Sequence, residues 1–134
     1  MTAKKSILVI EDEEGVRERL IRMLVFEGYA AEGPANGREG IERAWSVQPD
    51  LVICDLMMPG INGFGVCRVL RDDPRTAATP VLVLTALTAP SDRERTHGLG
   101  ATAYVTKPFR ALTLMTAVRR CLGQDAPVQR PNPT

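Results

Sequence analysis

Four short strand-like runs each hand over to residues able to do chemistry. Ile7–Ile10 runs into Glu11-Asp12-Glu13, Leu51–Cys54 into Asp55, Val81–Leu84 into Thr85, and Ala103–Thr106 into Lys107. The inventory is carboxylates, one hydroxyl and one ammonium. Each alone has an ordinary explanation. An Asp at a strand end forms turns or caps helices, and an acidic run suits a helix N-terminus. A Thr closing a strand is a common turn residue, and a Lys before Pro is commonly solvated. Their shared placement says more. Carboxylates brought together repel and raise one another's pKa values unless a cation neutralises them. An oxygen-only set without His or Cys selects a hard ion, Mg²⁺ in particular, which keeps several waters and needs few carboxylates.

The elements that must position these groups follow from hydropathy. The runs at 7–10, 51–54 and 81–84 are continuously apolar, as strands buried on both faces are. Tyr29-Ala30-Ala31 is a weaker strand, suited to a sheet edge, and 103–106 is a last one. Between them lie helical patterns. Val16, Leu20, Met23 and Leu24 recur at helical spacing up to Gly28. Asn36 with Glu39 resembles a capping box ahead of Ile41, Ala44 and Trp45. Phe64, Val66, Cys67 and Leu70 place a short helix before Asp72-Asp73-Pro74. Ser91 with Glu94 opens a fourth predicted helix stopping near Gly98 or Gly100. Leu112, Met115, Val118 and Leu122 give a fifth, closed by Gly123. Strand–helix alternation five times over means a doubly wound α/β parallel sheet. In such a sheet ligands sit outside the carboxyl ends of the strands, where the polar residues lie.

The 134 residues fit one domain. We expect it to span 1–123, followed by a disordered Pro-rich tail, 124–134, carrying Pro127, Pro131 and Pro133. Seventeen basic and sixteen acidic residues leave a net charge of +1, so no basic footprint for direct nucleic-acid binding is present. No apolar stretch approaches a membrane span or a signal-peptide core, so a cytoplasmic location and no membrane partner are expected. Cys54, Cys67 and Cys121 lack metal-ligand spacing and read as small buried hydrophobes. His97 reads as a surface residue of the fourth helix. Arg71–Thr79 reads as a passive connecting loop.

The chain resembles the receiver domains of two-component response regulators, the CheY-like superfamily. Ile7–Glu13, Asp50–Gly60, Val81–Ala86 and Tyr104–Phe109 carry the likeness, in order, over residues 5 to about 122. The resemblance implies a flavodoxin-like (βα)5 fold with strand order 2-1-3-4-5. It implies that Asp55 accepts a phosphoryl group from a phosphohistidine on a sensor histidine kinase or phosphotransfer protein. Glu11, Asp12, Asp55 and the backbone carbonyl of Met57 would hold Mg²⁺. Thr85 and Lys107 would contact phosphoryl oxygens, and Lys107-Pro108 would be cis. Thr85 and Tyr104 would act as the switch. The output face, for an unidentified downstream protein, would be the fourth helix, fifth strand and fifth helix, a region made basic by Arg93, Arg95, Arg119 and Arg120. Such a protein is no dedicated enzyme, but it would catalyse its own phosphorylation and a slow autodephosphorylation.

Three departures from the family pattern stand out. Glu11 occupies a position where Asp is commoner; the added methylene keeps the charge and lengthens the reach. Met57 and Leu87, two residues beyond Asp55 and Thr85, replace side chains that are often polar, and apolar groups there should not orient an attacking water. A phosphatase using an Asp nucleophile would need a second acid at Met57. A nucleotide- or flavin-binding domain would need a glycine-rich loop where Glu11-Asp12-Glu13 stands. A degenerate receiver acting only as a protein-interaction module is the remaining alternative.

Overall fold

The computed structural model describes residues 4–34, 36–86, 98 and 100–124. The expected fourth helix with Ser91, Glu94, Arg93, Arg95 and His97, together with Leu87 and the tail from 125 onward, lies outside them. Within them run β1 (Ser6–Ile10), α1 (Glu14–Phe26), β2 (Ala30–Glu32), α2 (Gly37–Val47), β3 (Leu51–Asp55), α3 (Gly63–Asp72), β4 (Val81–Thr85), β5 (Ala103–Thr106) and α4 (Ala111–Cys121). The helix labelled α4 is therefore the fifth in the pattern read from sequence. All four strand pairings are parallel, and the order is β2-β1-β3-β4-β5, as the resemblance implies.

The apolar runs become strands because each serves two cores. Successive side chains point to opposite faces. Leu8, Ile10, Val52, Cys54, Val81 and Val83 join Ile41, Ala44, Val66 and Leu70 from α2 and α3. Ile7, Val9, Leu51, Ile53, Leu82 and Leu84 join Leu20 and Leu24 of α1 with Leu114, Met115 and Val118 of α4. Fully burying one such aliphatic side chain contributes about 1.5–3 kcal/mol, so the central strands hold the sheet. β2, at the edge, has a partly exposed pattern over three residues. Cys54 and Cys67 are buried as expected, whereas Cys121, in the last turn of α4, is only partly so.

The turns follow local chemistry. Asn36 Oδ1 accepts from the Glu39 N–H at 2.9 Å and caps α2. Asn62 Oδ1 accepts from the Gly65 N–H at 3.1 Å and caps α3, a cap the sequence reading had not singled out. α4 closes with Gly123 at φ +70°. There the N–H groups of Gly123 and Gln124 donate to the Arg120 and Arg119 carbonyls, the Schellman pattern. Gln124 is thus tied down, and its Oε1 accepts from the Tyr29 hydroxyl at 2.8 Å. At the opposite edge of the sheet from the polar strand ends, the Asp50 carboxylate accepts from the Ser6 N–H at 2.7 Å and pins β1 against β3. Among the described residues no helix is long and apolar enough to cross a membrane.

Candidate functional site

Parallel register carries the ends of β1, β3, β4 and β5 to one edge. Ile10 pairs with Cys54, Asp55 with Leu84, and Thr85 with Thr106. The residue after β1 is therefore Glu11, the last of β3 is Asp55, the last of β4 is Thr85, and the first after β5 is Lys107. Glu11, Asp55 and Thr85 are buried, at 0%, 5% and 0% relative exposure. α3 packs directly under the loop after Asp55. At Gly63 a Cβ would stand 2.8 Å from the Asp55 carbonyl oxygen and 2.7 Å from Leu56 Cα, so glycine is required there.

Three carboxylates meet at this edge. Ligand oxygens of Glu11, Asp12 and Asp55 lie within 4.8 Å of one another. The Lys107 ammonium stands among them, 3.0 Å from Asp55 Oδ2 and 3.2 Å from Glu11 Oε1. The second oxygens of Asp55 and Glu11 are also engaged. Asp55 Oδ1 accepts from the Met57 N–H at 3.1 Å, and Glu11 Oε2 from the Glu13 N–H at 3.1 Å. The Lys107 backbone N–H donates to the Thr85 carbonyl at 2.8 Å, and the Lys107-Pro108 peptide is cis, as expected. The Arg19 guanidinium lies 5.6 Å from the centre of the Phe109 ring, which fixes the turn after Lys107 against α1.

The electrostatics of the pocket are unbalanced. The Glu11 pKa is raised from 4.5 to about 7. Burial is the largest cause of that net rise; the Glu13 N–H bond and the Lys107 ammonium work against it, and the charge on Asp55 works with it. Burial would by itself lower Lys107, but hydrogen bonding to Asp55 and the charges of Asp55 and Glu11 outweigh it, and its pKa moves up. One ammonium does not offset three acids, and a hard dication would. The oxygen-only donor set fits Mg²⁺.

The sequence reading assembled Glu11, Asp12, Asp55, Thr85 and Lys107, and the fold brings all of them to this edge. It had paired Lys107 with a future phosphoryl group but not with Glu11. The lengthened side chain of Glu11 turns back onto Lys107 and the Glu13 amide. Met57, two residues beyond Asp55, is 59% exposed. Tyr104 is half-buried and lines a groove of about 640 Å³ with Leu112, Thr116 and Arg120.

A sequence profile of the response regulator receiver domain matches residues 7–119. The chain belongs to the response regulator receiver domain family. This receiver is 41% identical over 124 residues to response regulator MprA of Mycolicibacterium vanbaalenii, covering 90% of this chain and 52% of that one. It is 40% identical over 116 residues to the DNA-binding dual master transcriptional regulator RpaA of Synechocystis, covering 87% of this chain and 48% of that one. The receiver thus spans about half the length of these curated relatives. Among solved structures, chemotaxis protein CheY4 of Vibrio cholerae superimposes with a TM-score of 0.86 at 32% identity, over 90% of this chain and 100% of that one. Receiver domains bind Mg²⁺ at an acidic pocket, and the Glu11–Asp12–Asp55 group of this receiver has that form.

Proposed function

We propose that this receiver takes a phosphoryl group from a kinase phosphohistidine onto Asp55, with Mg²⁺ held by Glu11, Asp12, Asp55 and the Met57 carbonyl. The observation that carries the reading is the Lys107 ammonium bridging Asp55 and Glu11 inside a three-carboxylate cluster. An Asp55 oxygen attacks phosphorus, the P–N bond breaks, and its electron pair passes to the imidazole nitrogen. Phosphoryl transfer depends chiefly on positioning and charge neutralisation. Bound Mg²⁺ supplies the positive charge that lets an anionic phosphoryl group approach an anionic carboxylate. The chain supplies the rest. The Met57 N–H orients the Asp55 carboxylate, Lys107 supplies a point charge to the transferred group, and the Thr85 hydroxyl, at the neighbouring strand end, takes a second phosphoryl oxygen.

The output lies with Thr85 and Tyr104. Thr85 draws toward the new charge, and Tyr104 turns in behind it, changing the face that carries β5 and α4 for a downstream protein. The DNA binding named for RpaA belongs to that longer protein; here the proposed contacts are with proteins, in the cytoplasm. The phosphorylated form hydrolyses slowly, because the exposed Met57 thioether cannot orient water at the mouth. A half-life of seconds for the purified phosphoprotein would refute that point. The reading as a whole is tested by intact-mass measurement after incubation with a small acyl-phosphate donor. One phosphoryl group should add with Mg²⁺, none with EDTA, and none in Asp55→Asn.

A further inference from the structure

Arg17, on the first turn of α1, reaches back to the acidic edge and makes no ion pair with a carboxylate among the described residues. Its Nη1 donates to the backbone carbonyl of Glu11 at 2.7 Å. Its own backbone N–H donates to the Glu13 carbonyl at 2.9 Å. Its stem crosses Gly33, where a Cβ would lie 3.3 Å from Arg17 Cγ and Cδ and would collide with the Val9 carbonyl oxygen. A bare glycine backbone therefore makes the passage for this side chain.

The β1–α1 turn needs such a fastening. α2 and α3 are capped by Asn side chains, whereas Glu13, the N-cap of α1, makes no side-chain cap. In its place stands a closed chain of contacts. Arg17 holds Glu11 through its carbonyl and Glu13 through its carbonyl, and the Glu13 N–H holds Glu11 Oε2. Glu11 Oε1 then takes Lys107, which takes Asp55. Two of the three clustered carboxylates ride on this turn.

We propose that Arg17 is a positioning residue for the metal pocket, and that its hydrogen bond to the Glu11 carbonyl sets how tightly the pocket holds a divalent cation. The inference rests on the Mg²⁺ reading given above. Asp55 and Lys107 are among the charges that shift Glu11, and Arg17 is not. Replacing Arg17 removes an orienting bond, and the positive charge lost with it would by itself favour a bound cation, so weaker binding reports the bond. Partners that hold a ligating side chain directly change metal affinity by about 10–100-fold, and a bond to the ligand residue's backbone belongs at the low end of that range.

The test is a MgCl₂ titration of the full chain, followed by backbone amide shifts, for wild type, Arg17→Met, Arg17→Ala and Arg17→Lys, with melting in EDTA as the check on folding. Arg17→Met keeps the stem over Gly33 and loses the donor, so it carries the test if the alanine variant does not fold. Arg17→Met is expected to bind Mg²⁺ about tenfold more weakly, and Arg17→Lys, which keeps a donor, to stay within about threefold of wild type. Raising Mg²⁺ in proportion should restore the Asp55 phosphorylation rate of Arg17→Met. Mg²⁺ affinity of Arg17→Met within about twofold of wild type overturns the inference. So does an Arg17→Lys as weak as Arg17→Met, or a loss of rate that added Mg²⁺ does not recover. Failure of wild type to bind Mg²⁺ would overturn the pocket reading itself, and this inference with it.

Discussion

If Glu11 holds Mg²⁺ as proposed, its raised pKa should make binding depend on pH. In the metal-free protein its pKa stands at about 7, chiefly because the carboxyl is buried. The metal takes the ionised form, so binding below that pH must first displace a proton. With a pKa of about 7, roughly nine tenths of Glu11 is ionised at about pH 8 and roughly one tenth at about pH 6. Apparent Mg²⁺ affinity should therefore fall about tenfold across that interval, and roughly half a proton should be released per ion bound at about pH 7. The affinity is read by Mg²⁺ titration at each pH, and the proton count by calorimetry in buffers of different ionisation enthalpy. Glu11→Gln should bind more weakly and lose the slope. An affinity level from about pH 8 to about pH 6 would refute the reasoning, and a slope surviving in Glu11→Gln would move it to another group. The same shift has a stability consequence without metal. A carboxyl whose folded pKa lies above its unfolded value of 4.5 stabilises the fold below that value. That stability is lost as pH rises through about 7. The loss is at most about 3.5 kcal/mol, and Mg²⁺ should offset it above neutrality.

Lys107→Met removes the ammonium that bridges Glu11 and Asp55. Phosphorylation at saturating Mg²⁺, followed by intact mass, should slow by about a hundredfold, whereas an unchanged rate would give Lys107 a purely structural role. Arg71 donates to the carbonyls of Gly100 at 2.7 and 3.1 Å, Thr79 at 2.7 Å and Thr76 at 3.3 Å. Arg71→Ala should lower unfolding free energy by about 3 kcal/mol in urea with an unchanged slope, and a loss below about 1 kcal/mol would show the clamp to be idle. Gly63→Ala, which sets a Cβ against Leu56 Cα and the Asp55 carbonyl, should destabilise by about 2 kcal/mol. It should also slow Asp55 phosphorylation, while Gly15→Ala, in α1 with nothing within 4 Å of the new Cβ, should leave that rate unchanged and stabilise the fold by about 0.5–1 kcal/mol.

What the sequence disclosed and what it hid divide along a physical line. The strands at 7–10, 51–54 and 81–84 were legible because a parallel strand buried on both faces leaves an unbroken apolar run. The site was legible because that run stops at the sheet edge, so the next residue is placed by the strand itself. β2 was faint because three residues at an edge, two of them exposed, need no pattern. Asn62 was overlooked among the turn residues Pro59, Gly60 and Asn62, any of which could have opened α3. Arg71–Thr79, read as a passive connector, contains buried Thr76 bonded to the Leu70 carbonyl at 2.8 Å and is clamped by Arg71. Side chain to carbonyl bonds of that kind, like Arg17 on Glu11, leave no periodicity, since a carbonyl belongs to every residue alike.

Charge arithmetic connects the pocket to its output. Ionised, the three acids carry three negative charges and Lys107 returns one, so the deficit matches one divalent cation. On the proposed reading Asp55 exchanges a single negative charge for a phosphoryl group of about −1.5 to −2. The metal and Lys107 are already committed, so the added charge falls to donors at the neighbouring strand end, where Thr85 stands. Thr85 cannot shift alone. Its carbonyl holds the Lys107 N–H at 2.8 Å, and Thr85 pairs with Thr106 on β5. A pull on the end of β4 is thereby a pull on β5, two residues from Tyr104 and the groove it shares with α4. An added charge at Asp55 that left amide shifts along 103–106 unmoved would break this link in the scheme while leaving the phosphoryl chemistry intact.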